Sequence, residues 1–437
     1  MPYNLGLLTA RREPMTPRDR VVAALKILEP DRVPLFELHV PPIMAKEILK
    51  QEKVLMGGSD VCYHLISQGA DVNEINRTIA DECLRCARAL DLDFIRVPAA
   101  FLPSAQVERS DGDWLIDGSR YRYISDSMWR LDEPATYDPD EVLAEARDYS
   151  PPDIPEGTFS ILERIRDITK EEYFLSFDAD GSWGPIVSNP SLLRHILVWM
   201  NRRPEVVDAV LNKHTAYAIR LGEAAIEAGA DAILMCVDYG LKDRPWMSPQ
   251  MFRRFIKPAL ARQALAFASK GAYPILHSDG NIMSLLPDIV DAGVRAYQGI
   301  DVMAGMDLRK VKQSFGDRLC LIGNVDPRVI EFGTKADVEG EVRRCLKDAA
   351  AGGGFMLSVS ANVSANSNTG NFVHMLEYAK ERAISHHLGL VLLRYLLSQN
   401  GLVCTYFSLA SKRSLNNSSS SYCIRDSILI AVCGPTP

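Results

Sequence analysis

Residues 273–301, YPILHSDGNIMSLLPDIVDAGVRAYQGID, set a short apolar run before a polar turn, then an amphipathic stretch, then a second short apolar run. That order is what a β-strand, a crossover helix and the next parallel strand require. Working outward, the same unit recurs at VPLFELHV (33–40), FIRVP (94–98), YFLSFDA (173–179), DAILMCVD (231–238), LCLIGNVD (319–326) and GFMLSVS (354–360). With YPILHSD and AYQGID these make eight runs, each followed by a helix-like segment, and eight βα units are the number that closes a barrel. The expected fold class is therefore α/β, a (β/α)8 TIM barrel in a single domain. An open doubly wound sheet is the alternative; against it, no GxGxxG turn joins a strand to a helix.

Around this frame, PRDRVVAALKIL (17–28) reads as a helix capped by Thr16 and stopped by Pro30. DGDWLIDGSRYRYI (111–124) alternates polar and apolar residues about Asp117-Gly118, so a hairpin insertion is expected between the second and third strands. Gly352-Gly353-Gly354 precedes the last strand, which favours a tight helix-to-strand turn over an anion-binding loop. The barrel is expected over 15–385, followed by an atypical tail, 386–437, read as a disordered or interaction segment or a shifted reading frame. Within that tail LGLVLLRYLLSQNGLVCTYFSLA (388–410) is broken by Arg394, Gln399, Asn400 and Gly401, so a membrane span is not favoured.

The 437 residues are 47% hydrophobic and 24% charged, enough for a sizeable core. A net charge of -7 argues against a general nucleic-acid binder, which needs a positive face. Of nine cysteines only Cys83 and Cys86 are closely spaced, as on one helix face, and the first residues lack a secretory apolar core. Both point to a reduced, cytoplasmic protein.

In a β/α barrel the residues ending each strand face one mouth. Here they include Glu37 and His39, Asp178 and Asp180, Asp238 and Tyr239, His277 and Asp279, Gln298 and Asp301, Asn324 and Asp326, and Ser360 and Asn362. A single strand-end aspartate is more often a cap than a catalyst. So many acceptors at one rim, however, repel one another unless a cation, a proton or a basic substrate compensates. Asp238, His277 and Asp279 are the expected catalytic set, with His277 and Asp279 as metal ligands. Glu37, Asp178, Tyr239, Gln298, Asn324, Asp326 and Asn362 are expected to bind substrate. Cys236, two residues before Asp238, reads as a core residue on the same strand face.

MTPRDRVVAALKILEPDRVPLFE (15–37), the block MSPQ to QGID (247–301), and LCLIGNVDPRVIEFGT (319–334) with GGGFMLS (352–358) resemble the uroporphyrinogen decarboxylase superfamily. The resemblance runs from Met15 to Lys380 and implies the barrel. That superfamily includes decarboxylases of porphyrin biosynthesis and methyltransferases that move methyl groups between small donors, corrinoid proteins and thiol or folate acceptors. The true decarboxylases carry an arginine-rich motif after the first strand and a histidine after the last; here ELHVPPIMAKEIL (37–49) has no arginine, and Ala361 or Asn362 stands at the second position. Thiol-directed methyltransferases bind zinc with a His-x-Cys pair and a later cysteine, where this chain has His277-Ser278-Asp279 and Ala361. HSDGN (277–281) is similar to corrinoid-dependent demethylation components, including those acting on methoxylated aromatics.

The resemblance thus implies an O-demethylating methyltransferase with a small-molecule substrate, a corrinoid carried by a partner protein, and zinc held by His277 and Asp279. Decarboxylation of uroporphyrinogen or a related polycarboxylate is the alternative, and a non-catalytic binding barrel the third reading.

Overall fold

The computed structural model describes residues 14–124 and 127–382, so the expected tail lies outside the described residues. The strands are β1 (Phe94–Arg96), β2 (Val107–Ser110), β3 (Asp113–Ile116), β4 (Ser119–Ile124), β5 (Ser127–Arg130), β6 (Phe174–Asp178), β7 (Ala232–Cys236), β8 (Tyr273–Ser278), β9 (Ala296–Gly299), β10 (Cys320–Val325) and β11 (Phe355–Val359). A seven-stranded sheet in the order β1-β6-β7-β8-β9-β10-β11 is parallel throughout, with helices in the crossovers.

The first expected strand corrects the sequence reading, because 33–40 forms two isolated parallel bridges and no regular strand. Leu35 bridges Leu357, and Phe36 bridges Phe94. Pro34 brings no N–H to a ladder. Its carbonyl instead accepts from Leu357 N at 2.9 Å, and Phe36 N donates to Leu357 O at 3.1 Å. The run thus touches both outer strands of the sheet.

Register and the two-residue period of strands decide what faces inward. Phe36, Phe94, Phe174, Ala232, Leu234, Ile275, Ala296, Cys320, Ile322 and Met356 pack into one apolar cluster. Phe36 stacks on Phe94 with ring centres 4.3 Å apart, and Phe94 meets Phe174 edge-on at 4.9 Å. Truncating one such phenylalanine to alanine costs about 3–5 kcal/mol. The helix Pro17–Leu25, capped by Thr16 Oγ1 accepting from Asp19 N at 3.0 Å, adds Val21, Ala24 and Leu25 to the same cluster. One step along the same strand face, toward the carboxyl ends, come Arg96, Asp178, Cys236, His277, Gln298, Asn324 and Ser358. The inward face therefore changes from apolar to polar within one strand repeat. The alternate positions pack outward against the helices in a larger apolar cluster.

The expected hairpin is present as β3 and β4, and two further strands make it a four-stranded antiparallel sheet, β2-β3-β4-β5. Asp117 and Gly118 at its turn both have positive φ, 49° and 82°, as a two-residue hairpin turn demands. Gly352 to Gly354 all have positive φ and form the tight turn into β11, at the opposite end from the polar layer. Cys83 and Cys86 are buried on the helix Val72–Ala89. Among the described residues no helix is long and apolar enough to cross a membrane.

Candidate functional site

Adjacent strand ends bring Asp238, His277 and Asp279 together. His277 of β8 has Cys236 and Gln298 as its register partners on either side. Gln298 Nε2 donates to Val359 O at 3.3 Å, which turns its Oε1 toward His277 Nδ1, and the two are hydrogen-bonded. The Nδ1 proton is thereby occupied, and Nε2 faces the carboxylates, 3.6 Å from Asp238 Oδ1 and 4.0 Å from Asp279 Oδ1. Asp238 Oδ1 also accepts the Asp279 backbone N–H at 2.8 Å.

Asp279 Oδ1 is buried and has no hydrogen-bond partner among the described residues. Burial pushes the Asp279 carboxyl up to about 6; His277 opposes the rise, while Asp238 and Asp301 add to it. The loops behind this cluster are in close backbone contact: a Cβ on Gly280, at φ +82°, would lie 2.4 Å from Gly240 C. Gly280 N also donates to Asp301 Oδ2 at 3.1 Å.

A second cluster lies on the neighbouring strands. Arg96 Nε donates to Asp178 Oδ1 and Oδ2 at 3.1 and 3.0 Å, and its Nη1 donates to Leu38 O at 3.1 Å. Cys236 Sγ sits 3.8 Å from Arg96 Nη2 and 3.9 Å from Asp178 Oδ2. Asp180 Oδ1 accepts the Cys236 N–H at 3.2 Å. Asp180 is exposed just past the end of β6, yet partial desolvation by the surrounding walls, with Asp178 next to it, pushes its carboxyl up to about 7. Burial likewise raises the Cys236 thiol well above its usual range. A cavity of about 540 Å³ opens beside this cluster, lined by Glu37, His39, Arg96 and Asp178 among many apolar side chains; Asp238, His277 and Asp279 are not in its lining.

The remaining expected site residues separate. Glu37 is buried, accepts from Val359 N at 3.3 Å, and is held well above the carboxylate range by desolvation. Gln298 orients His277. Tyr239 turns away from the polar layer, its ring 5.1 Å from Phe252 and 6.5 Å from Trp183 in the outer apolar cluster. Asn324 is buried, donating to Ile300 O and accepting from Arg344 Nη2 at 2.9 Å. Asp326 caps the helix Pro327–Phe332 and pairs with Arg328. Asn362 is exposed on the loop after β11.

Sequence reasoning missed Arg96; Cys236, expected as a core residue, is half-buried and packs against the inward apolar cluster, with its thiol beside Arg96 and Asp178. The signal for Arg96 was its parity with Phe94: two residues on in a strand is the same face.

Three donors converge closely enough to test for a metal. Ligand atoms of Asp238, His277 and Asp279 all lie within 4.8 Å of one another. An imidazole whose other nitrogen is engaged, and a carboxylate oxygen with no other partner, fit a divalent cation with nitrogen and oxygen ligands.

Residues 186–382 match the sequence model of uroporphyrinogen decarboxylase (URO-D). Uroporphyrinogen decarboxylase of Chlorobium luteolum is 26% identical over 192 residues, 43% of this chain and 52% of that protein. Methylcobamide:CoM methyltransferase MtaA of Methanosarcina barkeri is 29% identical over 171 residues, 38% of this chain and 48% of that protein. The chain thus spans about half the length of the curated relatives it matches. A solved methyltransferase from Methanosarcina mazei superposes with a TM-score of 0.61 at 19% identity, covering 84% of this chain and 99% of its own, a likeness of fold. Residues 186–382 are thus similar to the uroporphyrinogen decarboxylase family, and the similar curated proteins include decarboxylases and a methyltransferase.

Proposed function

We propose that this protein is a methyltransferase that removes a methyl group from a small methyl ether, such as a methoxylated aromatic, and delivers it to a corrinoid carried by a separate protein. In this reading the parallel sheet is a closed (β/α)8 barrel with Leu35 and Phe36 completing the ring. The observation that carries the proposal is the convergence of His277 Nε2 on two carboxylates, one with an unpartnered buried oxygen.

An ether oxygen is a poor leaving group. As the acceptor's electron pair forms the new bond to the methyl carbon, the C–O pair stays on oxygen, which then needs a proton or a cation. In this reading Asp238 or Asp279 supplies the proton, with His277 relaying it; a positioned acid contributes about 10²–10⁴ in rate. Zinc, where bound, would be held by His277 and Asp279 with Asp238, and would polarise the leaving oxygen. Gln298 keeps the imidazole in one orientation.

The test follows methyl transfer from methoxylated aromatics to a protein carrying cob(I)alamin. His277→Ala should abolish turnover with the fold intact, and Asp279→Asn should lose most of it. Full activity in His277→Ala would refute the proposal. Carbon dioxide release from uroporphyrinogen, with Asp238→Asn the severe lesion and His277→Ala a mild one, would establish decarboxylation instead. Absence of both activities would point to a binding barrel.

A further inference from the structure

The cavity beside the second cluster has a size suited to a small molecule, and its lining is mostly apolar. Arg96 is the one lysine or arginine among its described lining residues. The guanidinium is not a surface charge that happens to fall there. It projects from the inward face of β1, in register with Ser176, and its side chain is only 28% exposed. Asp178, from the neighbouring strand, is its carboxylate partner.

That pairing is the kind a ligand can exchange. Asp178 is as accessible as Arg96, at 28%, and Asp180 and Cys236 stand beside it as negative or polarisable neighbours. A ligand carboxylate offers Arg96 the same planar, two-oxygen geometry that Asp178 offers now. Glu37, the other acid of the lining, has no lysine or arginine partner among the described residues, and desolvation raises its carboxyl well above the usual range, which disfavours a second negative charge in the cavity.

Resting on the methyl-transfer reading, we propose that Arg96 anchors a carboxylate on the substrate, so that the methyl donor is a small, largely apolar acid whose carboxylate end is held at this cavity and whose methyl ether extends beyond it toward His277. From β1 to β8 the sheet advances three strand spacings, roughly 14 Å at about 4.8 Å each. With side chains reaching in from both ends, the remaining gap suits a single ring carrying the carboxylate at one side and the methyl ether at the other. Cys236, in contact with Arg96 and in register with His277, stands on the line between the anchor and the reacting cluster.

The test is calorimetric binding of 4-methoxybenzoate and of its uncharged methyl ester to the full chain, without a corrinoid protein. The acid should bind at least about tenfold more tightly than the ester, as expected for a charge-assisted contact. Arg96→Gln should erase that preference. Asp178→Asn, by removing the competing carboxylate, should strengthen binding of the acid, whereas a purely structural Arg96–Asp178 pair would give weaker binding or none. The Asp178 variant and the acid-ester comparison in the wild type keep the test decisive if Arg96→Gln does not fold. Equal binding of acid and ester, no binding of the acid, or a preference retained in a folded Arg96→Gln variant would overturn the proposal. Tight binding of the acid without methyl transfer would defeat the catalytic reading and leave the anchor standing.

Discussion

Replacing Gly280 by alanine tests whether the geometry of the His277 cluster depends on the backbone contact behind it. Gly280 has φ +82°, and a Cβ there would stand 2.4 Å from Gly240 C, 2.6 Å from Gly240 Cα and 2.7 Å from Gly240 O. The left-handed conformation costs an alanine about 1–2 kcal/mol. Relieving the collision requires one backbone to retreat by about 1 Å, and overpacking of this kind costs about 1–3 kcal/mol. The sum is a loss of about 2–5 kcal/mol, measurable as a lower urea midpoint with an unchanged slope. Because Gly280 N donates to Asp301 and the adjoining Asp279 N to Asp238, the retreat also displaces the backbone donors that hold these two carboxylates, including Asp238 beside His277. A displacement of about 1 Å can cost about 10²-fold in rate, so turnover should fall even where the variant remains folded. A Gly280→Ala protein within about 0.5 kcal/mol of wild type and with full activity would refute this account of the site.

Three further outcomes are expected. Asp180 has its carboxyl raised to about 7 by desolvation and Asp178, so the native state holds that proton more tightly than the unfolded chain; its ionisation should lower stability as pH rises from 4 through 7. Asp180→Asn should therefore flatten the fall in melting temperature between pH 5 and pH 8, and an unchanged slope would count against the shift. With no cysteine among Asp238, His277 and Asp279, zinc added to the protein should be stripped by mild chelator; stoichiometric zinc surviving that treatment would contradict the oxygen-rich site. Gln298→Ala should leave His277 free to rotate and lower the turnover rate with little change in substrate KM, whereas wild-type kinetics would show that the amide is dispensable.

The parallel sheet was legible because seven of its strands coincide with short apolar runs, and a run's parity announces which side chains face in. The register between neighbours could not be read, yet it decides that His277 lies between Cys236 and Gln298. The eighth run, VPLFELHV, looked like any other strand; Pro34 and the Glu37 side chain reduce its pairing to two bridges. Grouping Asp238, His277 and Asp279 from consecutive strand ends anticipated their proximity. Tyr239 was misread because a residue just past a strand end can turn either way, and its ring turns outward to Phe252. Arg96 escaped notice since a basic residue in FIRVP interrupts an apolar run without following it.

Several rim carboxylates also do the work of missing main-chain carbonyls. Asp180 receives the Cys236 N–H, Asp238 that of Asp279, Asp301 that of Gly280, and Glu37 that of Val359. Where the sheet runs out of strand, a side-chain oxygen terminates the ladder. The consequence is a limit on how this mouth can be refitted for other chemistry. A designer can exchange these acids for asparagine, glutamine or serine, which still accept an N–H, and so change charge without undoing the strand ends. At Asp301 and Glu37, alanine or leucine would leave a backbone donor stranded in the interior, at about 1–3 kcal/mol apiece. The repertoire of reactions open to this scaffold is therefore filtered by an architectural duty that has nothing to do with substrate.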